Sequence, residues 1–564
     1  MKLKLHIVFI FILQIVLPVF VTGQGIILSS GIYMTLSQGT MVLQSNWVNN
    51  GNYSDQNGTI IINGVTNVSG SSSNTFGNVI VAMGATLNIN PQNSVTVIGT
   101  LTNNAGIPGF VLKSDATGTA SLIHNSNNVP ATVQRYISGT AEAWHFLSAP
   151  VSAQSISGSW IPSGTYSNNT GYDLYIWNEP TNCWIYKLDI TSPVNWNTVH
   201  SGANFVPGRG YLYSVQATNP TNGFAGNLNN GSQSFGLTFS SSDVNLKGFN
   251  LVGNPYPSSI DWQATSGWTR SSLVSSGGGY DMWIWNPAAN NYGVFNSATG
   301  IGTNSVTRYI SPMQGYFVQA ADAGNLILDN PVRVHDGANA WKKAIIYPDK
   351  LSLVVESLQD NTFDESLLLF GYPDNQSGTA KLFSPYDYAP SLYLHSADRN
   401  YSVRYLKDTI ENRMVPVMFK PGRDGKYTLT CNFDNNKFKM VLLEDRKIHN
   451  FQDMKAEPTF HFSASKTDDA NRFVLHFVSV DNDSGKELPA TVYTSGSRLI
   501  IDLTLVSEET ELYVFDVLGR KLIQQKLQGR IQHKLSLNVN TQILIFSLKN
   551  PNGNISRKLL WVKK

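Results

Sequence analysis

The stretch "GYDLYIWNEPTNCW", Gly171 to Trp184, returns without gaps as "GYDMWIWNPAANNY", Gly279 to Tyr292. Two more pairs frame it: "WHFLSAPV" (144 to 151) with "FNLVGNPY" (249 to 256), and "VPGRGYLY" (206 to 213) with "ISPMQGYF" (310 to 317). The offsets are 108, 105 and 104 or 105 residues, so spacing is kept along with content. Residues 129 to 343 therefore hold an internal duplication of a unit of about 105 residues. Its alternating apolar runs and Gly/Pro punctuation make it all β.

Nine of the twelve tryptophans lie between Trp144 and Trp285, within this duplication. In an extended strand Asp173, Tyr175 and Trp177 share one face and Leu174 and Ile176 the other. The second copy repeats this as Asp281, Trp283 and Trp285 against Met282 and Ile284. If only the aliphatic face is core, the aromatic rings can stack on sugars while the Asp accepts a hydroxyl hydrogen bond. The simpler alternative buries both faces, with the tryptophans filling the space between sheets, because duplication preserves packing residues just as readily.

Upstream, residues 24 to 128 are short strands separated by Asn/Gly turns. "MVLQSNWVNNGNY" (41 to 53) matches "VTVIGTLTNNAGI" (95 to 107). Repeated strand units with Asn at the corners suit a β-solenoid whose coils stack and whose Asn side chains bond in ladders; a β-sandwich is the alternative. The segment resembles the β-helical stalks of bacterial surface adhesins. Downstream, charge rises from about Ile345, and amphipathic strands to residue 480 suggest a β-sandwich. Residues 481 to 487 read as a linker. Strands at Arg498 to Leu505, Glu511 to Val517, Arg520 to Leu527, Lys534 to Val539, Gln542 to Leu548 and Lys558 to Val562 form a last small sandwich. The Leu518-Gly519 turn joins its second and third strands, glycine tolerating the positive φ that hairpin turns need.

The succession "SGSRLIIDL", "ELYVFDVLGRKLIQQKL", "KLSLN", "ILIFSLK", "RKLLWVKK" in residues 488 to 564 resembles the type A C-terminal sorting domain of the Bacteroidetes type IX secretion system. "LLEDRKIHNFQDM" and "DDANRFVLHF" resemble the β-sandwich that often precedes such tails. Two features depart from the pattern: Val492-Tyr-Thr-Ser-Gly496 replaces the usual Pro-Asn-Pro, and Thr541-Gln-Ile-Leu544 replaces Gly-x-Tyr. The resemblance implies that the tail, with Tyr513, Phe515, Val517, Gly519, Lys563 and Lys564 among its elements, is read by the secretion machinery. It also implies delivery of the protein to the medium or to the cell surface at the outer membrane of a Gram-negative Bacteroidetes-type bacterium.

Composition agrees with export. Only 14% of the 564 residues are charged, the net charge is +2, and Asn, Ser, Thr and Gly fill the gap. Such a length calls for several cores, roughly three to five domains. No Lys/Arg cluster can neutralise a row of phosphates, so nucleic acid is not an expected partner. Residues 1 to 23, two lysines followed by a short apolar run and Val21-Thr22-Gly23, read as a secretory signal peptide. No later segment is long and apolar enough to span a bilayer. Cys183 and Cys431 fall in different predicted domains and read as unpaired, buried thiols rather than as a disulfide.

Signatures of hydrolysis are missing: there is no His-Glu-x-x-His, no Gly-x-Ser-x-Gly and no phosphate-cradling Gly-x-x-x-x-Gly-Lys. Asp173 and Asp281 are the only acids that recur in the duplication, and acids before a strand commonly end a turn. His145, His461 and His476 sit singly in strands, without metal-ligand spacing. Asp481-x-Asp483 with Gly485 reads as a solvated turn or the start of a calcium loop. The expectation is a non-enzymatic, multi-domain all-β surface protein without metal or cofactor, adhesin-like or binding surface or host glycans or matrix proteins. The alternatives are a secreted polysaccharide or peptide hydrolase with an unrecognised site, and a purely structural surface component.

Overall fold

The computed structural model describes residues 25 to 561, apart from 142, 162–171, 201, 216, 336–348, 373–377, 397–398, 407–413, 435–437, 480–487, 496–497, 518 and 541. The signal segment, the Asp481-x-Asp483 stretch and Lys563-Lys564 lie outside the described residues. The chain is all-β and multi-domain. Two compact units divide it, one drawn from 1–407, 418–435 and 461–470, the other from 408–417, 436–460 and 471–564.

The first unit opens with a three-sided β-solenoid. One side is the parallel series Ile26–Leu28, Trp47–Asn49, Val65–Ser69, Thr86–Ile89, Phe110–Leu112 and Pro130–Tyr136. A second is Thr40–Leu43, Thr59–Ile62, Asn78–Val81 and Leu101–Asn103, and a third is Asn74–Phe76, Ser94–Val97 and Ser121–Ile123. Alternate residues point inward, so Trp47, Ile62, Val81, Ile89 and Leu112 form a continuous core. The expected Asn ladder is present: Asn67 Nδ2 donates to Asn46 Oδ1 at 2.8 Å, and Asn88 Nδ2 to Asn67 Oδ1 at 3.0 Å.

The coil period differs from the repeat read in the sequence. Trp47 stacks on Val68 and Ile26, whereas Leu101 stacks on Val79 on another side. The matched segments 41 to 53 and 95 to 107 thus share a strand-corner-strand unit but not a place in the coil. A three-sided coil uses similar corners several times per turn, and local similarity cannot tell them apart.

The duplication gives two sheets of the same strand order. In the first copy Trp144–Leu147 pairs with Tyr211–Val215, which pairs with Tyr172–Asn178, which forms a hairpin with Cys183–Tyr186. In the second, Phe249–Gly253, Gly315–Gln319, Gly279–Asn286 and Asn291–Asn296 follow the same path. Flanking antiparallel strand pairs also correspond: Pro130–Tyr136 with Thr221–Leu228, and Gln233–Leu237 with Gly324–Leu328. Pro130–Tyr136 belongs to the solenoid as well, and one apolar cluster takes in Leu28 of the first coil and Tyr213, Phe224 and Leu228 of the first copy. Solenoid and first copy therefore share a core across residue 129. His335, after the second copy, bridges back to the solenoid, its Nδ1 2.8 Å from Ser121 Oγ and its Nε2 2.8 Å from Thr96 Oγ1.

The rest of this unit is a sheet in which Ser391–Ser396, Arg399–Leu406, Phe363–Phe370, Lys350–Ser357 and Gly425–Asp434 lie side by side. Leu367, Leu369, Ala380, Leu382, Val403 and Tyr405 share a cluster with Phe249, Trp283, Tyr292 and Phe317 of the second copy.

In the second unit Asn450–Asp453, Phe438–Asp445 and Phe473–Ser479 are neighbours. The buried Arg472 guanidinium grips the buried Asp445 carboxylate through two bonds of 2.9 and 2.6 Å, and His476 Nε2 lies 2.8 Å from Glu444 Oε2. These four residues come from the two motifs quoted above for the sandwich before the tail. The last sandwich has one sheet of Thr491–Ser495, Arg498–Asp502 and Gln532–Leu535, and another of Lys521–Leu527, Thr510–Asp516, Gln542–Asn550 and Gly553–Trp561. Leu499, Ile501, Leu512, Val514, Phe546 and Trp561 belong to a core built wholly from residues 488 to 561.

Candidate ligand-binding cleft

The hairpin of Gly279–Asn286 with Asn291–Asn296 sets out the aromatic face foreseen in the sequence, and most of that face is covered. Trp283 is 2% exposed, and its indole Nε1 donates to Ala380 O at 3.1 Å. In the first copy Trp177 is half-buried and donates from Nε1 to Phe249 O at 2.7 Å, within a network that includes Trp184 and Phe317. Tyr175 is also half-buried, packed edge-on to Trp144. The tryptophans therefore fill space between sheets. As a ligand contact Trp283 is corrected to a packing residue, because both faces of its strand are buried.

The two recurring acids are buried too. Asp173, 3% exposed, sits beside Tyr186, where burial and the carboxylate push the phenol up to about 12. Asp281, 4% exposed, accepts from Ser276 Oγ, from Asn296 Nδ2 at 2.8 Å and from Thr379 Oγ1 at 3.1 Å. Burial lifts it from 3.8 to about 6 even though these three donors pull the other way. Neither can reach a ligand in solution, and as candidate contacts both are corrected to interior hydrogen-bond acceptors.

Trp285 is the exception. The last aromatic of its strand, it is half-buried, held edge-on by Tyr292 at 5.1 Å, and it borders a surface cleft of ≈ 280 Å³. Asn286 and Pro287 continue the wall from the hairpin turn, while Asn304, Ser305, Val306, Thr307, Tyr309 and Gln314 close the other side. The lining carries no charged side chain. Asn304 and Ser305 both adopt positive φ, 47° and 62°, which turns the loop sharply at the rim. Asn286 Nδ2 fixes that turn by donating to Asn304 O at 2.9 Å. Asn304 itself donates from Nδ2 to Tyr292 O at 2.9 Å and to Asp364 Oδ1 at 3.1 Å, while its buried Oδ1 meets no hydrogen-bond donor among the described residues. Gln314 Oε1 accepts from Ser311 N at 3.2 Å, which orients the amide. A half-buried indole, a phenol and fixed amides on a neutral wall can stack on an apolar ring face and exchange hydrogen bonds with hydroxyls.

Asn304, Ser305, Tyr309 and Gln314 were not foreseen from the sequence. For Asn304 and Ser305 the signal was the polar run Thr303-Asn304-Ser305, which has no marked repeat partner, whereas Gln314 lies inside the repeated segment 310 to 317. Of the foreseen tail elements, Tyr513 and Phe515 are stacked at 6.2 Å on the outer face of their strand, and Val517 is half-buried in the turn. Gly519 has φ 74° and donates to Asp516 O at 3.0 Å, as the hairpin requires. Cys431 is buried, which raises its thiol, whereas Cys183 is exposed rather than buried; both are free. Among the described residues no group of three or more His, Cys, Asp or Glu could hold a metal ion, and no helix is long and apolar enough to cross a membrane.

A family model described as a domain of unknown function, DUF8693, matches residues 39–477. The chain belongs to this family. The matched span takes in the solenoid coils from the second strand series onward, both copies of the duplication and the cleft, and it stops short of the last sandwich. No curated protein matches. Among solved structures, a "Biofilm associated protein - BSP domain" aligns over 78% of this chain and 95% of its own at 9% identity and a TM-score of 0.12, at which neither fold nor function carries over.

Proposed function

We propose that this DUF8693 protein is a non-enzymatic, exported surface protein whose duplicated module binds neutral glycans at the Trp285 cleft. The observation that carries the reading is the cleft's lining: one half-buried tryptophan with a tyrosine and amide side chains, and no charge. A sugar ring offers an apolar C–H face to an indole and hydroxyls to amides, so this chemistry fits a saccharide better than an anion or a cation. The solenoid and the closing sheet serve as the rigid scaffold that holds the hairpin and the Asn304-Ser305 turn in register.

Export rests on the last sandwich. Its strand succession, its separate core and its Gly519 hairpin support the type IX sorting resemblance, with the secretion machinery as its partner. A reporter fused to residues 488 to 564 should then appear outside a host with a working type IX translocon. Retention in the periplasm would remove that part of the reading.

The binding reading is tested on a broad array of neutral and acidic glycans and matrix proteins. Trp285→Ala is expected to abolish binding to neutral glycans while Trp177→Phe retains it. Unchanged binding by Trp285→Ala, or binding confined to acidic glycans, would refute the assignment.

A further inference from the structure

Beneath the cleft, and independent of what binds in it, lies a buried amine against a buried carboxylate. Lys381 follows the strand Gly378–Ala380, and Asp364 lies in Phe363–Phe370; both strands pair with Arg399–Leu406. Lys381 Nζ is 2.5 Å from Asp364 Oδ2, with side-chain exposures of 1% and 0%. An ammonium has three N–H groups to satisfy, yet among the described residues this one meets a single acceptor. An ion pair buried in this way is poorly compensated.

The carboxyl group is held asymmetrically. Oδ1 accepts from Asn304 Nδ2 at 3.1 Å and from its neighbour Glu365 N at 3.0 Å. Oδ2 faces the amine and also accepts from Leu392 N at 2.7 Å. Two fixed donors on one oxygen are the arrangement that stabilises a developing oxyanion. The amine lies on the other oxygen, one C–O bond beyond which is the carbon, close to the near-attack range of about 3–3.5 Å.

We propose that Lys381 and Asp364 condense spontaneously to an intramolecular isopeptide bond. One ammonium proton passes to Oδ2, and the freed lone pair of Nζ attacks Cγ, forming the N–C bond. Negative charge gathers on Oδ1 between the Asn304 and Glu365 N–H groups. The tetrahedral centre then collapses: the Cγ–Oδ2 bond breaks, Oδ2 takes a second proton from the nitrogen and leaves as water beside Leu392 N–H. The products are one secondary amide and one water, and no oxidant or cofactor is consumed. The new bond ties together two of the strands beneath the cleft wall.

The test is a tryptic map of the denatured full-length chain by mass spectrometry. A branched peptide is expected that joins the Lys381 and Asp364 segments, at the sum of their masses less one water. Trypsin should fail to cut after Lys381, since its amine is acylated. Lys381→Arg, which keeps the charge but does not condense, should give only linear peptides. Cleavage after Lys381 in the wild type, with a linear peptide carrying an unmodified Asp364, overturns the proposal. Because the wild-type map alone decides, the result holds even if the variant folds poorly, and it leaves the glycan reading to be judged separately.

Discussion

Trp283 and Trp285 stand two residues apart on one strand face, yet they answer to different pressures. Trp283 is enclosed and spends its indole N–H on Ala380 O, so Trp283→Ala should cost about 3–5 kcal/mol, read as a fall in the denaturation midpoint. Trp285→Ala should cost about 1–2 kcal/mol but remove ligand binding. Asp281 makes a separate prediction, in pH. Its folded value, about 6, lies above the ordinary 3.8, so the folded state binds the extra proton between these values. The stabilisation is complete below about 3.8 and is lost as pH rises through about 6. In thermal melts from pH 4 to 8, Asp281→Asn should flatten this part of the stability profile. Among these residues Trp285 was legible in the sequence, as part of a recurring pattern. Which of the recurring aromatics stay open was not legible, since the cover over Trp283 comes from Ala380 and its neighbours, about a hundred residues away.

At the scale of elements, the duplicated sheets were readable because spacing and side-chain pattern recur together, and the two copies follow one strand order. The solenoid was readable as a class but not in its period. "MVLQSNWVNNGNY" and "VTVIGTLTNNAGI" match because corners resemble corners, whereas stacking is decided by which strand meets the next coil. The Asn46-Asn67-Asn88 ladder shows the true step. Asn67→Ala removes both rungs at once and should cost about 1–2 kcal/mol. Hydrogen exchange should detect it as faster exchange in Trp47–Asn49, Val65–Ser69 and Thr86–Ile89, with the last sandwich unaffected. The cleft wall from Asn304 to Tyr309 lay outside the matched repeat segments, and Gln314, although inside the 310 to 317 segment, was not among its shared residues, so no pattern announced the wall.

At the scale of the molecule, the last sandwich keeps its core to itself, while the solenoid and first copy do not. Residues 488 to 564 expressed alone should therefore melt cooperatively, as a small two-state domain does. A fragment ending near residue 128 should fail to fold, since it loses Pro130–Tyr136 and the Ala131 and Val133 side chains that close the coil interior. Far-ultraviolet circular dichroism and thermal melts of the two fragments distinguish these outcomes.

A parallel stack has no intrinsic length: each rung offers the next the same unpaired backbone, as a growing fibril does. Here Pro130–Tyr136, the final parallel rung, turns its other edge to Thr221–Leu228, which runs the opposite way. The antiparallel strand interrupts the like-on-like register of that side, so its last parallel rung presents no free edge for a further coil.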